Sequence, residues 1–116
     1  MKTNYVGLRA VTEQLLPCLA GDARIVNMTS HLAVNLFDCT STDPAQTRLA
    51  AAFSQPGLTL PALDALVKSF LASIKSGTWS QAGWPDCAYS VTKLAVNAYT
   101  RILQVGTTNL GYVEHI

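Results

Sequence analysis

The chain has 116 residues, of which 49% are hydrophobic and 13% are charged, and its formal net charge is +1. This length suits one small domain, and the near-neutral charge without a basic cluster gives no reason to expect nucleic acid or a membrane surface as a partner. No apolar run reaches the roughly 18 residues of a membrane span, and the first ten residues, MKTNYVGLRA, lack the apolar core of a secretory signal.

Residues 3–20 are predicted to form an amphipathic helix. Apolar side chains recur there at helical spacing and form one face, which comprises Val6, Val11, Leu15 and Leu19 and is widened by Leu8, Leu16 and Cys18. Pro17 removes a backbone hydrogen bond near the end, so we expect a kink there. Gly21 and Asp22 then end the helix.

Residues 23–29 read as a short buried parallel strand, because the β-branched pair Ile25 and Val26 follows a helix and a turn. A single strand leaves its backbone N–H and C=O groups unpaired, so it needs partner strands. No other segment offers a convincing one. We therefore expect about one core strand in this chain.

Two further helices are predicted between residues 43 and 76. A short one is expected at about 43–53, inside an otherwise loop-like segment. The helix at 59–76 is the clearest in the chain, with Thr59 as N-cap, Pro61 in the first turn and Gly77 as the C-terminal stop. Its apolar positions are Leu63, Leu66, Val67, Phe70, Leu71 and Ile74.

The last predicted helix runs over residues 86–104, after a connecting loop at 78–85. Asp86 is its expected cap. Its candidate buried side chains are Ala88, Val91, Ala95, Ala98, Ile102 and Leu103. Residues 105–116 show no strong pattern.

The three cysteines, Cys18, Cys39 and Cys87, are scattered and have no metal-ligand spacing. Their odd number also argues against a disulfide framework. We therefore expect no metal site, and we expect a reducing compartment, by default the cytoplasm.

Three motifs in order set this sequence apart: TNYVG at 3–7, VNMTS at 26–30 and GWPDCAYSVTK at 83–93. Together they resemble the short-chain dehydrogenase/reductase family, and most closely its carbonyl reductase branch. The resemblance covers about residues 2–104. It implies an α/β, Rossmann-like fold with a doubly wound parallel sheet, and NADPH-dependent reduction of aldehydes, ketones and quinones to alcohols.

The spacing of Tyr89 and Lys93 suits such a reduction. Hydride addition to a carbonyl places negative charge on its oxygen, which then needs a proton donor. A free tyrosine, with a pKa of about 10, is a weak acid at neutral pH. Helical i,i+4 spacing places the two side chains side by side. A cation about 5 Å away stabilises a phenolate by about 3 kcal/mol at an effective dielectric near 20, so Lys93 would make Tyr89 a better donor.

The resemblance also assigns roles to single residues. Tyr89 is the proton donor, and Lys93 assists it and binds the nicotinamide ribose. Asn4 completes a catalytic tetrad by positioning a water near Lys93, so Tyr89, Lys93 and Asn4 also serve as cofactor-binding residues. Ser30 holds the substrate carbonyl oxygen, and Trp84 lines the substrate mouth with the loop 31–41. Asn27, as a backbone brace, and Ser90, near the cofactor, are the next candidates.

A long segment separates Ser30 from Tyr89. The carbonyl reductase branch carries a helical insertion at this place, where it covers the surface that other members use to form oligomers. By this resemblance, residues 31–77 are the insertion, and a monomer is expected for the full-length branch.

Other features of the family have no counterpart. The sequence contains no glycine-rich TGxxxGxG turn and no NNAG, and we also expect the downstream strand and its PG segment to be absent. Residues 1–104 are therefore interpreted as the central part of one reductase domain and 105–116 as a divergent tail. We expect the isolated chain to bind NADPH poorly and to aggregate.

Two functions other than that of a reductase can be considered for this sequence. One is a non-catalytic truncated isoform that acts as an interaction module, pairing the helices at 3–20 and 86–104 with a full-length reductase. The other is a serine hydrolase using Ser30 and His31. Adjacent residues rarely aim a base at its nucleophile, and no G-x-S-x-G elbow is present, so the hydrolase is rejected. His31 is then a loop residue near the substrate mouth, and His115 is a tail residue.

Overall fold

A computed structural model describes residues 2–30, 44–85, 87–106 and 112–115. In chain order the elements are α1 (Leu8–Leu15), β1 (Arg24–Asn27), α2 (Pro44–Ser54), α3 (Leu60–Ser76), α4 (Ala88–Gly106) and β2 (Tyr112–His115). The predicted helices at 43–53, 59–76 and 86–104 correspond to α2, α3 and α4. Asp86 and the loop 31–41 lie outside the described residues. No described helix is long and apolar enough to cross a membrane.

The N-terminal helical segment is not uniform. A π-helical turn, Lys2–Gly7, precedes α1, and a 3-10 turn, Leu16–Cys18, follows it. Pro17 lies in that tighter turn, at the place where the kink was predicted. A proline cannot donate the backbone bond that an α-helix needs, so the change in helix type at this point has a local cause.

The predicted face of this segment was wrong in part. Its four principal residues are between 39% and 59% exposed, and they are Val6, Val11, Leu15 and Leu19. Leu8 and Leu16, which were predicted to widen the face, do pack against the core, and they do so beside the buried Tyr5. Apolar residues lie on both sides of the helix, so the pattern alone could not identify the side on which α4 packs.

The sheet has two parallel strands. Arg24 of β1 pairs with Tyr112 of β2, and the register runs on to Asn27 with His115. The expectations that no segment would pair with β1 and that the downstream strand would be absent were therefore wrong. The intervening helix α4 returns the chain to the same end of the sheet, which parallel pairing requires. The α/β fold class is confirmed, with two strands rather than about one.

The boundaries of α3 agree with its predicted capping residues. The hydroxyl of Thr59 accepts a hydrogen bond from the backbone N–H of Ala62 at 3.3 Å, and Gly77 ends the helix with a φ of 76°. Only part of the apolar face is covered. Leu63, Val67 and Phe70 are buried and Leu66 packs against the core, whereas Leu71 and Ile74 are about half exposed.

Helix α4 lies at the centre of the core. The apolar residues buried along it are Val91, Ala95, Val96, Ala98, Tyr99 and Leu103. Ile102 packs against this core, whereas Ala88, at the start of the helix, is exposed. Small side chains on this helix let its neighbours approach closely.

The loop before α4 presses against the start of α2. Gly83 has a φ of 91°, and a Cβ atom there would lie 2.6 Å from the carbonyl carbon of Ala45 and 2.7 Å from the backbone nitrogen of Gln46. Both the positive φ and the close approach require glycine. The glycine of the GWP motif therefore has a structural explanation.

Candidate active site

Tyr89 and Lys93 lie together on the first turns of α4. The Nζ atom of Lys93 is 5.6 Å from the centroid of the Tyr89 ring, as expected for neighbours at i,i+4 on a helix. The Tyr89 side chain is 46% exposed. A ligand can therefore reach a phenol that has a cation beside it.

Lys93 also connects the helix to the end of the first strand. Its Nζ atom donates a hydrogen bond of 3.1 Å to the carbonyl oxygen of Met28. Met28 follows β1 directly, and the half-buried Ser30 lies two residues further along the chain. The carboxyl end of the strand and the first turns of α4 thus meet at Lys93.

A buried hydrogen bond holds the same two elements together deeper in the fold. The side-chain amide of Asn27 donates to the hydroxyl of Thr100 at 2.9 Å. Asn27 was expected to brace the backbone, and the structure shows it bound to a helix side chain. Sequence analysis missed Thr100. The feature of the sequence that could have identified Thr100 is its spacing: it is a small polar residue seven positions after Lys93, and this spacing places it on the same side of the helix.

Asn4 lies half-buried in the π-helical turn. Among the described residues, no direct hydrogen bond joins the Asn4 side chain to Lys93, whose Nζ atom binds the Met28 carbonyl oxygen. Its turn borders a shallow open cleft between α1 and β1, whose lining includes Thr3, Gly7 and Asn27. The tetrad role of Asn4, which requires a bridging water, stays a prediction.

The structure corrects the role expected of Trp84. This side chain is 3% exposed, and its ring makes edge contacts with Phe53 at 5.9 Å and Phe70 at 5.1 Å. Trp84 is therefore a core residue that joins α2 and α3, and it does not line an open mouth. The loss of about 200 Å² of apolar surface from water explains why a large aromatic occupies this place.

Ser90 also faces inward. It is fully buried, and its hydroxyl donates to the Sγ atom of Cys87 at 3.3 Å. This contact occupies the hydroxyl at the start of α4, so the structure does not support the role near the cofactor. His31 lies outside the described residues, and nothing is described of the His115 side chain.

No family model matches the chain, but several known proteins are similar to it. Carbonyl reductase (NADPH) 1 from Bos taurus is 36% identical over 102 residues, which is 88% of this chain and 35% of that protein. The human carbonyl reductase (NADPH) 1 is 34% identical over the same share of each chain.

Solved structures give the same result for the fold. Salutaridine reductase from Papaver somniferum superposes with a TM-score of 0.75 at 31% identity, covering 97% of this chain and 37% of that one. Over most of its own length the chain is therefore similar to reductases of the short-chain dehydrogenase/reductase family. Menthone neomenthol reductase from Mentha piperita, with a TM-score of 0.73 at 33% identity, is a second structural relative.

The curated relatives also carry the name of the branch expected from the sequence, carbonyl reductase. The chain spans about a third of the length of the relatives it matches. The activity of a whole protein of that kind is therefore a matter for proposal.

Proposed function

We propose that this chain carries the catalytic residues of an NADPH-dependent reductase that converts small carbonyl compounds (aldehydes, ketones or quinones) to alcohols. The observation that carries the proposal is the position of Lys93, whose ammonium group lies beside the Tyr89 ring and binds the Met28 carbonyl oxygen. The same cation thus holds the proton donor close to the end of β1, where Ser30 follows.

The residues present fit one end of the cofactor. A lysine ammonium has three N–H donors, and Met28 occupies one of those of Lys93, so others can bind the ribose hydroxyls next to the nicotinamide. The sequence has no glycine-rich turn for the pyrophosphate. Bound NADPH would supply the hydride.

The protein's own part in the reaction is to hold the carbonyl and to protonate its oxygen. Ser30 would donate a hydrogen bond to that oxygen, and Tyr89 would transfer its phenolic proton to it as negative charge develops. Lys93 stabilises the resulting phenolate. Asn4 would hold a water through which the proton is replaced from solvent.

Several finer assignments belong to the same proposal. The substrate is a small molecule, and the protein acts in the cytoplasm. For the longer protein of this branch we infer a monomer, because α3, in the segment that resembles the insertion, contacts the N-terminal helical segment through the bond from Tyr5 to Asp64. The segments 1–104 and 105–116 remain our division of the chain.

A second candidate function is supported by exposed apolar residues of the π-helical turn and α1. Val6, Val11 and Leu15 are each more than half exposed, and such a row commonly marks a contact surface. In this reading the chain is a non-catalytic module that binds a full-length reductase through its helices.

The deciding experiment measures NADPH binding and quinone reduction with the chain produced inside a longer reductase, because the chain by itself is expected to bind NADPH poorly. Tyr89→Phe should abolish turnover while retaining NADPH binding, and Lys93→Met should weaken both. Lys75→Met serves as the matched control, because Lys75 is exposed at the far end of α3. Reductase activity that survives Tyr89→Phe would contradict the proposed mechanism. A chain that binds a full-length reductase but no NADPH would favour the interaction module.

A further inference from the structure

The π-helical turn that carries Asn4 is anchored by the residue next to it. Of residues 3–7, Tyr5 is the one that is buried, at 2% exposure. Asn4 and Gly7 are half-buried, and Thr3 and Val6 are exposed. The position of the Asn4 side chain therefore depends on how firmly Tyr5 is held.

A single carboxylate on α3 holds this turn. The hydroxyl of Tyr5 donates to Oδ1 of Asp64 at 2.9 Å. The guanidinium of Arg9, one turn further along, forms an ion pair with the same oxygen. Asp64 thus binds the π-helical turn and the start of α1 at once, across 59 residues of sequence from Tyr5.

The same group packs on α4 through its rings. Tyr5 makes an edge contact with Tyr99 at a centroid distance of 6.5 Å, and the Arg9 guanidinium lies 6.0 Å from the Tyr99 centroid. The catalytic helix is therefore one wall of the cluster. A shift of the turn relative to α4 would have to break these contacts together with the bond to Asp64.

The charge states of the cluster are stable near neutral pH. Burial raises the pKa of Tyr5 to about 12, and the bond to Asp64 adds to the effect, so the hydroxyl remains a donor. Burial alone would raise the pKa of Asp64, but the hydrogen bonds from Arg9 and Tyr5 outweigh it and hold that pKa below its usual value. The carboxylate stays ionised and remains the acceptor.

We propose that Asp64 and Tyr5 are positioning residues that fix the π-helical turn, and with it Asn4, against the helix that carries Lys93. This inference rests on the proposed function for the role of Asn4. The contacts of Asp64 with Tyr5 and Arg9 do not depend on that function. Asp64 lies in the segment that resembles the branch insertion. In this proposal the insertion-like segment also positions an active-site residue, in addition to covering the surface that other members of the family use to form oligomers.

Glu13 provides a matched control inside the same cluster. Its carboxylate also binds Arg9, with a distance of 2.7 Å from Nε to Oε1. It has no bond to Tyr5, and its side chain is 46% exposed, so the pair should contribute little to stability. If only the charge beside Arg9 mattered, substitutions of Glu13 and Asp64 would have the same effect on the π-helical turn. If Asp64 positions the turn, only its substitution should change the order of that turn.

The test measures backbone order by nitrogen-15 NMR relaxation with the chain produced inside a longer reductase, because the chain by itself is expected to aggregate. We expect Asp64→Ala and Tyr5→Phe to lower the amide order parameter of Asn4 from about 0.85, a rigid backbone, to below about 0.6. The order parameters of residues 91–103 should not change. Glu13→Gln should leave both regions as they are, and Asp64→Asn, which keeps an oxygen acceptor for Tyr5, should restore most of the order.

Two results would overturn the assignment: unchanged order at Asn4 in both Asp64→Ala and Tyr5→Phe, or an equal loss of order along α4. Tyr5→Phe keeps the buried ring, so the test survives if Asp64→Ala fails to fold. Where turnover is measurable, Asp64→Ala should lower kcat about tenfold and should have no further effect in an Asn4→Ala background. If Asn4→Ala alone leaves turnover unchanged, the proposed role of Asn4 fails while the order measurement still decides the positioning.

Discussion

The side-chain amide of Asn27 donates a 2.9 Å hydrogen bond to the hydroxyl of Thr100, which donates in turn to the carbonyl oxygen of Val96 at 2.8 Å. Both side chains are buried. Asn27 is the last residue of β1, and Thr100 lies on α4, two turns after Lys93. The bond therefore fixes the strand end that leads to Ser30 against the helix that carries Tyr89.

Thr100→Val should destabilise the protein by about 1–3 kcal/mol, because it leaves the buried Asn27 amide without its partner at nearly constant side-chain volume. Urea denaturation measures the free energy of unfolding. The double variant Asn27→Leu/Thr100→Val should cost less than the sum of the two single changes, since it removes both polar groups. Strict additivity would show that the two side chains do not depend on each other.

Gly83→Ala and Gly77→Ala form a matched pair. Both glycines have positive φ, but a Cβ atom at Gly77 would meet nothing within 4 Å, whereas one at Gly83 would collide with the backbone of Ala45. We expect Gly77→Ala to cost about 1–2 kcal/mol from φ alone. Gly83→Ala should cost about 2–3 kcal/mol more, because the clash adds to the strain. Equal shifts in melting temperature would contradict the close packing of the GWP loop on α2.

Trp84 should behave as a core residue in fluorescence. In a Trp79→Phe variant, the emission of Trp84 should lie at shorter wavelength than that of Trp79 in a Trp84→Phe variant, because Trp79 is only half-buried. Acrylamide should quench Trp84 less. Trp84→Ala should destabilise the fold by about 3–5 kcal/mol. Strong quenching of Trp84 by a carbonyl substrate would instead restore its place at the substrate mouth.

Alkaline pH should destabilise the fold through two buried tyrosines. Burial is the largest cause that raises the pKa of Tyr5 and of Tyr99 to about 12. A raised pKa means that the folded state keeps its proton while the unfolded chain, with a pKa of about 10, loses it. The contribution of the two tyrosines to stability should therefore be constant below about pH 10 and fall between about pH 10 and 12, by about 2–3 kcal/mol for each tyrosine. Tyr5→Phe should remove about half of this dependence in denaturation curves taken across that range.

Tyr99→Phe should not destabilise the protein at neutral pH. The Tyr99 hydroxyl is buried and has no hydrogen-bond partner within the part of the chain that the structure describes. Deleting an unpaired buried hydroxyl removes its desolvation cost of about 1–3 kcal/mol. A neutral or higher melting temperature is expected, with Tyr5→Phe as the contrasting variant that loses a real bond. Clear destabilisation by Tyr99→Phe would reveal a partner for this hydroxyl.

Features with local causes could be predicted from the sequence. Thr59 and Gly77 bound α3 because capping depends on backbone groups within one turn of each residue. Tyr89 and Lys93 lie side by side because the helical period alone determines that distance. The resemblance to short-chain reductases rests on these same short motifs, and the comparisons confirm it.

Features with distant causes required the tertiary structure. Which side of the N-terminal helical segment is buried depends on where α3 and α4 pack. Val11 of α1 is therefore exposed, whereas Tyr5 of the π-helical turn is buried. The strand Tyr112–His115 has no apolar run of its own, and its place beside β1 follows from the return of the chain through α4. Trp84 was expected at the substrate mouth because its motif lies just before Tyr89 in the chain. The motif does not show that the rings of Phe53 and Phe70 pack around it.

The sequence by itself determined the positions of the helices, the caps of α3, the resemblance to the family and the pair of Tyr89 and Lys93, because each depends on residues within a few turns of one another. Only the tertiary structure decided that Asn27 binds Thr100 and that Asp64 holds Tyr5. These bonds join residues 73 and 59 positions apart. The physical reason is that a hydrogen bond between distant segments forms where packing brings a donor and an acceptor together. The local spacing of residues in the sequence does not predict which distant groups will pair.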